Sequence, residues 1–215
     1  METKKTAIIG LGNIGQAVAG NLSKSDRNFI IADRNIEKAK ELSGKWGKGT
    51  VASDIPSAVK NADILILSIP FEAIGSFLQE YSTDLEGKII VDPSNPIAPD
   101  ANGGFKKIIG NDESAGAINA SFLPKGAKLV KALGSLSAGT LVSASYHSPE
   151  RAVLFYATDH TEINADIEQL IQDNGFDALR IGGIDQSIRI EVFGDLHEFG
   201  ALGKTVNLSE ARQKI

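Results

Sequence analysis

Residues 6–15 read Thr6-Ala-Ile-Ile-Gly10-Leu-Gly12-Asn-Ile-Gly15, a short apolar run that passes directly into a Gly-x-Gly-x-x-Gly pattern. In a strand–turn–helix unit the three glycines have separate tasks. Gly10 permits the tight turn out of the strand, Gly12 lets the main chain approach a pyrophosphate, and Gly15 lets the helix pack against the strand. The helix is expected from about Asn13, so the N–H groups of Asn13, Ile14 and Gly15, at its positive dipole end, face the same anion. Its continuation carries Ala17, Ala19 and Gly20, small enough for close packing on a sheet. Asn28 to Asp33 then forms a β-branched run that ends in a carboxylate. An acid at a strand end about twenty residues past the glycines is where a dinucleotide fold holds the ribose hydroxyls. A glycine-rich turn followed by an ordinary surface Asp is the competing reading. The register of strand, glycines, helix, second strand and acid argues against it.

Outward from this unit the alternation continues. Ile36 to Trp46 reads as a helix, Gly49 to Ser53 as a brief strand, and Ile55 to Asn61 as a short helix. Ile64 to Ile69 is almost wholly apolar, the mark of a strand buried on both faces of a parallel sheet. Pro70 stops it, a helix follows over Phe71 to Tyr81, and Lys88 to Asp92 makes another buried strand, ended by Pro93 and Pro96. Pro93 to Gly116 clusters Pro, Asn, Gly and Asp and is expected to be a loop, placed where a lid or substrate loop would lie. Ala115 to Leu123 reads as helix, and Lys128 to Leu133 and Arg151 to Ala157 as strands. His160 to Asn174 has Ile163, Ile167, Leu170 and Ile171 at helical spacing, Gly175 caps it, and Phe176 to Ile181 is a last strand. A helix is expected around Gln186 to Phe193. The β-α-β order implies an α/β fold of Rossmann type, a doubly wound, mostly parallel sheet with right-handed crossovers. One domain over residues 1–215 is expected, with a core over 1–184 and a small C-terminal extension over 185–215.

The formal charge of -5 and the lack of any basic run argue against nucleic acid as a partner. The chain has no cysteine, which excludes disulfides, thiol catalysis and cysteine-bound clusters and fits a reducing cytoplasm. The basic start, Met1-Glu-Thr-Lys-Lys5, has the charge of a signal peptide, but the apolar stretch after it is short and broken by Gly12 and Asn13, so it is read as the first strand. No apolar run approaches the roughly twenty residues of a membrane span. A cytoplasmic protein with no membrane or nucleic-acid partner is expected, with a homodimer held open.

In a doubly wound sheet the ligand lies along the carboxyl ends of the strands, at the switch point. That draws together Gly10 to Gly15, Asp33-Arg34-Asn35, Ser68-Ile69-Pro70-Phe71 and Asp92-Pro-Ser-Asn95-Pro96. The first is expected to hold pyrophosphate and the second the adenosine ribose. Ser68, Ile69, Pro70 and Asn95 are expected to reach towards the nicotinamide. Asp33 would accept bonds from both ribose hydroxyls and repel a 2′-phosphate, favouring NAD, whereas Arg34 could stack on adenine or pair with that phosphate, favouring NADP. Both cofactors stay open. His147, His160 and His197 have no second ligand at a metal spacing, and the carboxylates form no metal pattern. As a general acid His147 or His197 could serve, but surface or structural roles suit both better. No Ser/His/Asp constellation is present. Where hydride passes directly between two aligned rings the protein needs no acid or base, so no catalytic residue is assigned.

With these residues in view, the chain resembles the F420-dependent NADP oxidoreductases, small enzymes that pass hydride between a nicotinamide and a deazaflavin. The likeness rests on the N-terminal glycine motif, on Ala32-Asp33-Arg34-Asn35-x-Glu37-Lys38, on Ser68 to Phe71, on Val130-Lys-Ala-Leu133, and on Asp185 to Glu191 with Ser187, Arg189 and Glu191. It covers nearly the whole chain. The resemblance implies an NAD(P)-dependent oxidoreductase whose second substrate is F420 or a flavin, FMN or FAD. Two departures stand out. Asp33-Arg34-Asn35 lies where the family carries a Ser-Arg-Arg-like phosphate clamp, and Gly134 lies where it tends to carry a histidine, close to the expected deazaflavin. Two other functions stay open. One is a reductase of a small imine or ketone, although such enzymes generally bring a large helical C-terminal half for which this chain has no room. The other is a non-catalytic dinucleotide-binding redox sensor.

Overall fold

Strands and helices alternate strictly through the first half of the chain: β1 (Thr6–Ile9), α1 (Asn13–Leu22), β2 (Phe29–Ala32), α2 (Ile36–Trp46), β3 (Thr50–Ser53), α3 (Ile55–Asn61), β4 (Ile64–Leu67), α4 (Phe71–Glu80) and β5 (Ile89–Asp92). The computed structural model describes residues 3–47 and 49–215. Met1 and Glu2, which open the basic start weighed above as a leader, and Lys48 lie outside the described residues. The second half holds β6 (Ile97–Pro99), β7 (Phe105–Lys107), α5 (Ala115–Ala120), β8 (Lys128–Lys131), α6 (Ala138–Ser143), β9 (Val153–Ala157), α7 (Asn164–Asp173), β10 (Asp177–Gly182) and α8 (Leu208–Arg212).

One sheet runs in the order β10-β9-β8-β5-β4-β1-β2-β3. The six strands from β3 across to β8 are parallel. β9 meets β8 antiparallel through one bridge, Lys131 opposite Ala157, and β10 runs parallel to β9. The sheet is therefore mostly parallel and of Rossmann type, with its strand order reversing between β1 and β4. That reversal is the switch point at which such folds bind ligands.

Alternation along each strand feeds two cores. Ile8, Ile31, Ile66 and Val91 pack with Val18 and Leu22 of α1, Leu42 of α2 and Ile167 of α7. Ala7, Ile9, Leu65, Leu67 and Ile90 pack on the other face with Val59 of α3 and Ile74, Phe77 and Leu78 of α4. Each such aliphatic side chain contributes about 1.5–3 kcal/mol by leaving water, so both faces must be covered. Side-chain caps start most helices: Asn35 for α2, Asp54 for α3, Ser114 for α5, Ser137 for α6 and Asn207 for α8.

Three sequence expectations change. Pro93–Gly116, read as a loop, contains an antiparallel ribbon of β6 and β7, with Ile97 opposite Lys107 and Pro99 opposite Phe105. The helix expected over Gln186–Phe193 is a 3₁₀ segment at Ile184–Ile190. It ends there because Glu191 turns extended to place its carboxylate on α5. The helix expected from His160 begins with a separate 3₁₀ turn at Thr161–Ile163 and turns α-helical at Asn164.

Candidate dinucleotide-binding site

The chain leaves β1 through Gly10 at φ +92°, a left-handed conformation that favours glycine. Its N–H donates to the Ala32 carbonyl at 2.8 Å, which fixes the turn to the end of β2. A Cβ at Gly10 would overlap the Ser68 carbonyl and press on the Ile69 side chain, and a Cβ at Gly15 would overlap the Gly10 carbonyl. Gly10, Gly15, Ser68 and Ile69 are thus brought into one tight contact at the switch point. Gly12 differs. Its backbone is ordinary, at φ -71°, and a Cβ there would meet nothing within 4 Å. Internal packing does not demand glycine at this position, so the space in front of it is open to an outside group.

Gly12 is also the N-cap of α1 and supplies no side-chain cap. The first N–H groups of a helix have no intrahelical acceptor, so those of Asn13, Ile14 and Gly15 point outward uncompensated. α4 likewise begins bare, at Pro70. α7 lacks a side-chain cap too, but a 3₁₀ turn leads into it. The two uncapped helix starts that follow strands directly, α1 and α4, therefore flank the switch point, where an anion would find two positive helix ends.

Asp33 follows β2 and reaches back into the loop. Its Oδ2 accepts the Leu11 N–H at 2.9 Å and its Oδ1 accepts the Asn35 N–H at 3.0 Å. Lys38 Nζ lies 3.9 Å from Oδ2. Partial burial pushes the Asp33 carboxyl up, but the N–H bonds from Asn35 and Leu11 and the charges of Lys38 and Arg34 outweigh it, so the group sits below its ordinary value and is ionised. Arg34 is exposed beside it.

The carboxyl ends of β5 and β8 carry a buried polar network that the sequence reading did not assemble. Asp92 and Lys131, 0% and 2% exposed, pair at 3.0 Å. Asp92 Oδ2 also accepts from Asn119 Nδ2 at 2.9 Å, and Oδ1 accepts the Ser94 N–H at 2.7 Å. Lys131 Nζ donates as well to the Ser94 carbonyl. Ser94 Oγ is buried without a hydrogen-bonding partner. The signal was present in the sequence: a lysine inside Leu129-Val-Lys-Ala132, a run buried on both faces, requires an acid on the neighbouring strand. Asp92 ends that strand.

Asn95, expected to face the nicotinamide, has its side chain engaged inside the protein. Its Nδ2 donates to the Gly134 carbonyl at 3.0 Å and its Oδ1 accepts the Val192 N–H at 2.7 Å. Gly134 packs so closely on Pro93 that a Cβ would overlap the Pro93 carbonyl, which leaves no room for another residue there. The same Gly134 carbonyl meets His197 Nε2 at 3.1 Å. His197 Nδ1 accepts the Phe199 N–H, so Nε2 carries the proton. His197 is 1% exposed. Burial pushes its ring below the ordinary value and the charge of Lys131 adds to this, while the Gly134 carbonyl and Glu198 pull the other way. Glu191 accepts the Ala115 and Gly116 N–H groups at 2.8 and 2.9 Å and so caps α5 from the tail. His147 is exposed, 3.3 Å from the Glu150 carbonyl, beside Thr205 and Asn207 rather than the glycine loop.

The bare N-terminus of α1, the clearance at Gly12 and the anchored carboxylate at the end of β2 fit a dinucleotide: an open cradle, two positive helix ends and a ribose acceptor. Among the described residues no group of three or more His, Cys, Asp or Glu could hold a metal ion, and no helix is long and apolar enough to cross a membrane.

The fold is of Rossmann type, and the site at its switch point fits a dinucleotide. A family model described as "NADP oxidoreductase coenzyme F420-dependent" matches residues 5–96. The F420-dependent NADP reductase of Methanothermobacter thermautotrophicus is 26% identical over 203 residues, covering 89% of this chain and 86% of that protein. A hypothetical protein of Sinorhizobium meliloti, known from its crystal structure, aligns with a TM-score of 0.82 and 26% identity over 95% of this chain and 96% of its own. An F420-dependent NADP-reductase structure from an Arthrobacter species aligns with a TM-score of 0.69 over 86% of this chain and 87% of its own; at 21% identity it bears on the fold alone.

Proposed function

We propose that the protein is an NAD(P)-dependent oxidoreductase that passes hydride between a nicotinamide dinucleotide and a second acceptor, a deazaflavin of the F420 type or a flavin. The observation that carries this reading is the contrast within the glycine loop. Gly10 and Gly15 are closed off by their own main chain, whereas Gly12 faces empty space at the uncapped start of α1. The descriptions of the matching family model and of the Methanothermobacter reductase supply NADP and F420 as the first candidates.

The nicotinamide ring, when bound, supplies the hydride or takes it up. The chain's own residues bind, align and exclude water. Gly12, Asn13, Ile14 and Gly15 hold the pyrophosphate by main-chain N–H groups, on the turn that Gly10 makes with its own N–H on the Ala32 carbonyl. Asp33 accepts from the ribose, with Arg34 beside the adenosine. Ser68, Ile69 and Pro70, at the end of β4, flank the nicotinamide side. Asn95 acts one step removed, fixing Gly134 and Val192 on the acceptor side. No side chain gives or takes a proton in the transfer, because aligning two rings supplies most of what the step needs.

The test is anaerobic oxidation of NADH and of NADPH, each with F420, FMN and FAD, beside a titration of dinucleotide binding. Turnover with at least one acceptor is expected. Tight dinucleotide binding with no acceptor reduced would overturn the catalytic reading in favour of a redox sensor, and no binding would overturn both.

A further inference from the structure

We propose that Asp33 makes this protein select the dinucleotide without a 2′-phosphate, NAD(H), despite the NADP in the description of the family model that its first half matches. This rests on the dinucleotide reading of the glycine loop and deepens it. The argument concerns what the carboxylate is able to do, not merely that it is present. Asp33 could tolerate a 2′-phosphate only by turning aside or by losing its charge. Turning aside would break two bonds at once, because Oδ2 holds the Leu11 N–H at 2.9 Å and Oδ1 holds the Asn35 N–H at 3.0 Å. The first of those bonds belongs to the glycine loop itself, between Gly10 and Gly12. The second sets the start of α2, whose N-cap is Asn35. Swinging Asp33 away would therefore disturb both the pyrophosphate cradle and the next helix.

Losing the charge is closed off by the same contacts, since two N–H donors and a nearby ammonium all favour the ionised form. A phosphate dianion at the 2′-position would then lie against a fixed negative charge, whereas ribose hydroxyls would donate to its free lone pairs. The cations nearby do not reverse this. Lys38 is 3.9 Å from Asp33 Oδ2 and already faces that carboxylate. Arg34 is exposed, a position that suits it to stacking on an adenine face as well as to meeting a phosphate. One exposed arginine beside an anchored carboxylate is a poor clamp for a dianion.

The experiment measures dissociation constants of NADH and NADPH on the full chain by fluorescence titration, for the wild type, Asp33→Asn and Asp33→Ser. Thermal melts confirm that the variants fold. The wild type is expected to bind NADH roughly 10- to 100-fold more tightly than NADPH. Asp33→Asn keeps an oxygen for the Leu11 N–H while removing the charge, so the ratio is expected to fall about tenfold, mostly by gain of NADPH affinity. Equal or tighter binding of NADPH by the wild type overturns the proposal while leaving the dinucleotide site intact. An NADH preference that both variants preserve overturns the assignment to Asp33. If neither dinucleotide binds, the reading on which the proposal rests falls, and the proposal falls with it.

Discussion

The fold requires glycine at positions 10 and 15, whereas at position 12 only the proposed ligand would, and substitution separates the two. At Gly15 any Cβ meets the Gly10 carbonyl, so Gly15→Ala must move the loop or the helix. A destabilisation of about 2–3 kcal/mol is expected, read as a lower urea midpoint. At Gly12 a Cβ meets nothing within 4 Å, and valine tolerates φ -71°. Gly12→Val is therefore expected to melt like the wild type and to lose dinucleotide affinity by roughly 100-fold. Unchanged affinity would remove the pyrophosphate from this loop. His197 offers a second test at the same scale. Its folded pKa lies below the ordinary 6.5, so on acidification the unfolded chain takes up a proton before the folded one. The stability due to neutral His197 is complete above about pH 6.5 and is lost progressively as the pH falls from there towards the lower folded pKa. His197→Gln removes the titration. Urea midpoints measured at about pH 7.5 and about pH 5.5 should fall further in the wild type than in the variant; equal falls would mean that His197 does not titrate in this window.

At the scale of elements, what could be read in advance divides by the source of the order. β1, α2, α3 and β4 were legible because local signals agree: apolar runs, a capping Asn35 or Asp54, a stopping Pro70. α6 was not, because Ala138-Gly-Thr-Leu-Val-Ser143 has poor helix formers and owes its form to the Ser137 cap and the burial of Leu141. α8 went unread although Asn207-x-x-Glu210 is a capping box. β6 and β7 are three residues each, β6 between Pro96 and its own last residue Pro99 and β7 after Gly103 and Gly104, and pairing alone makes them strands. The glycine loop and Asp33 were legible for the same local reason, whereas the network on the proposed acceptor side was not, because Asp92, Lys131, Gly134 and His197 meet only through the fold. The Lys131–Asp92 pair shows the consequence. Lys131→Met strands a buried carboxylate and is expected to cost about 3–5 kcal/mol. The double variant Lys131→Met, Asp92→Asn should recover part of that in a urea titration. If the double variant is as unstable as the sum of the two singles, the two groups are not coupled.

At the scale of the molecule, the tail from Ile184 onward serves stability and site geometry together. Ile190, Leu196, Val206 and Ala211 bury themselves against Val153, Phe155 and Ala157 of β9, and the Val153 N–H donates to the Val206 carbonyl at 2.9 Å. The same segment reaches the proposed acceptor side, since His197 holds the Gly134 carbonyl, the Glu198 N–H donates to the Ser135 carbonyl, and Val192 is tied to Asn95. Among the described residues, by contrast, positions 10–33 make no hydrogen bond to residues 184–215. A defect in the tail should thus reach the acceptor side and leave the dinucleotide end as it was. Leu196, 1% exposed, is the position to use. Leu196→Ala leaves a cavity expected to cost about 2–4 kcal/mol. Under conditions where the variant is still folded, dinucleotide affinity should stay within about twofold of the wild type while the rate of hydride transfer to the acceptor falls, because Gly134 and Val192 lose their backing. Titration of binding and turnover on one preparation checks this. If affinity falls in step with turnover, the two halves of the site are not independent and the tail supports the glycine loop as well.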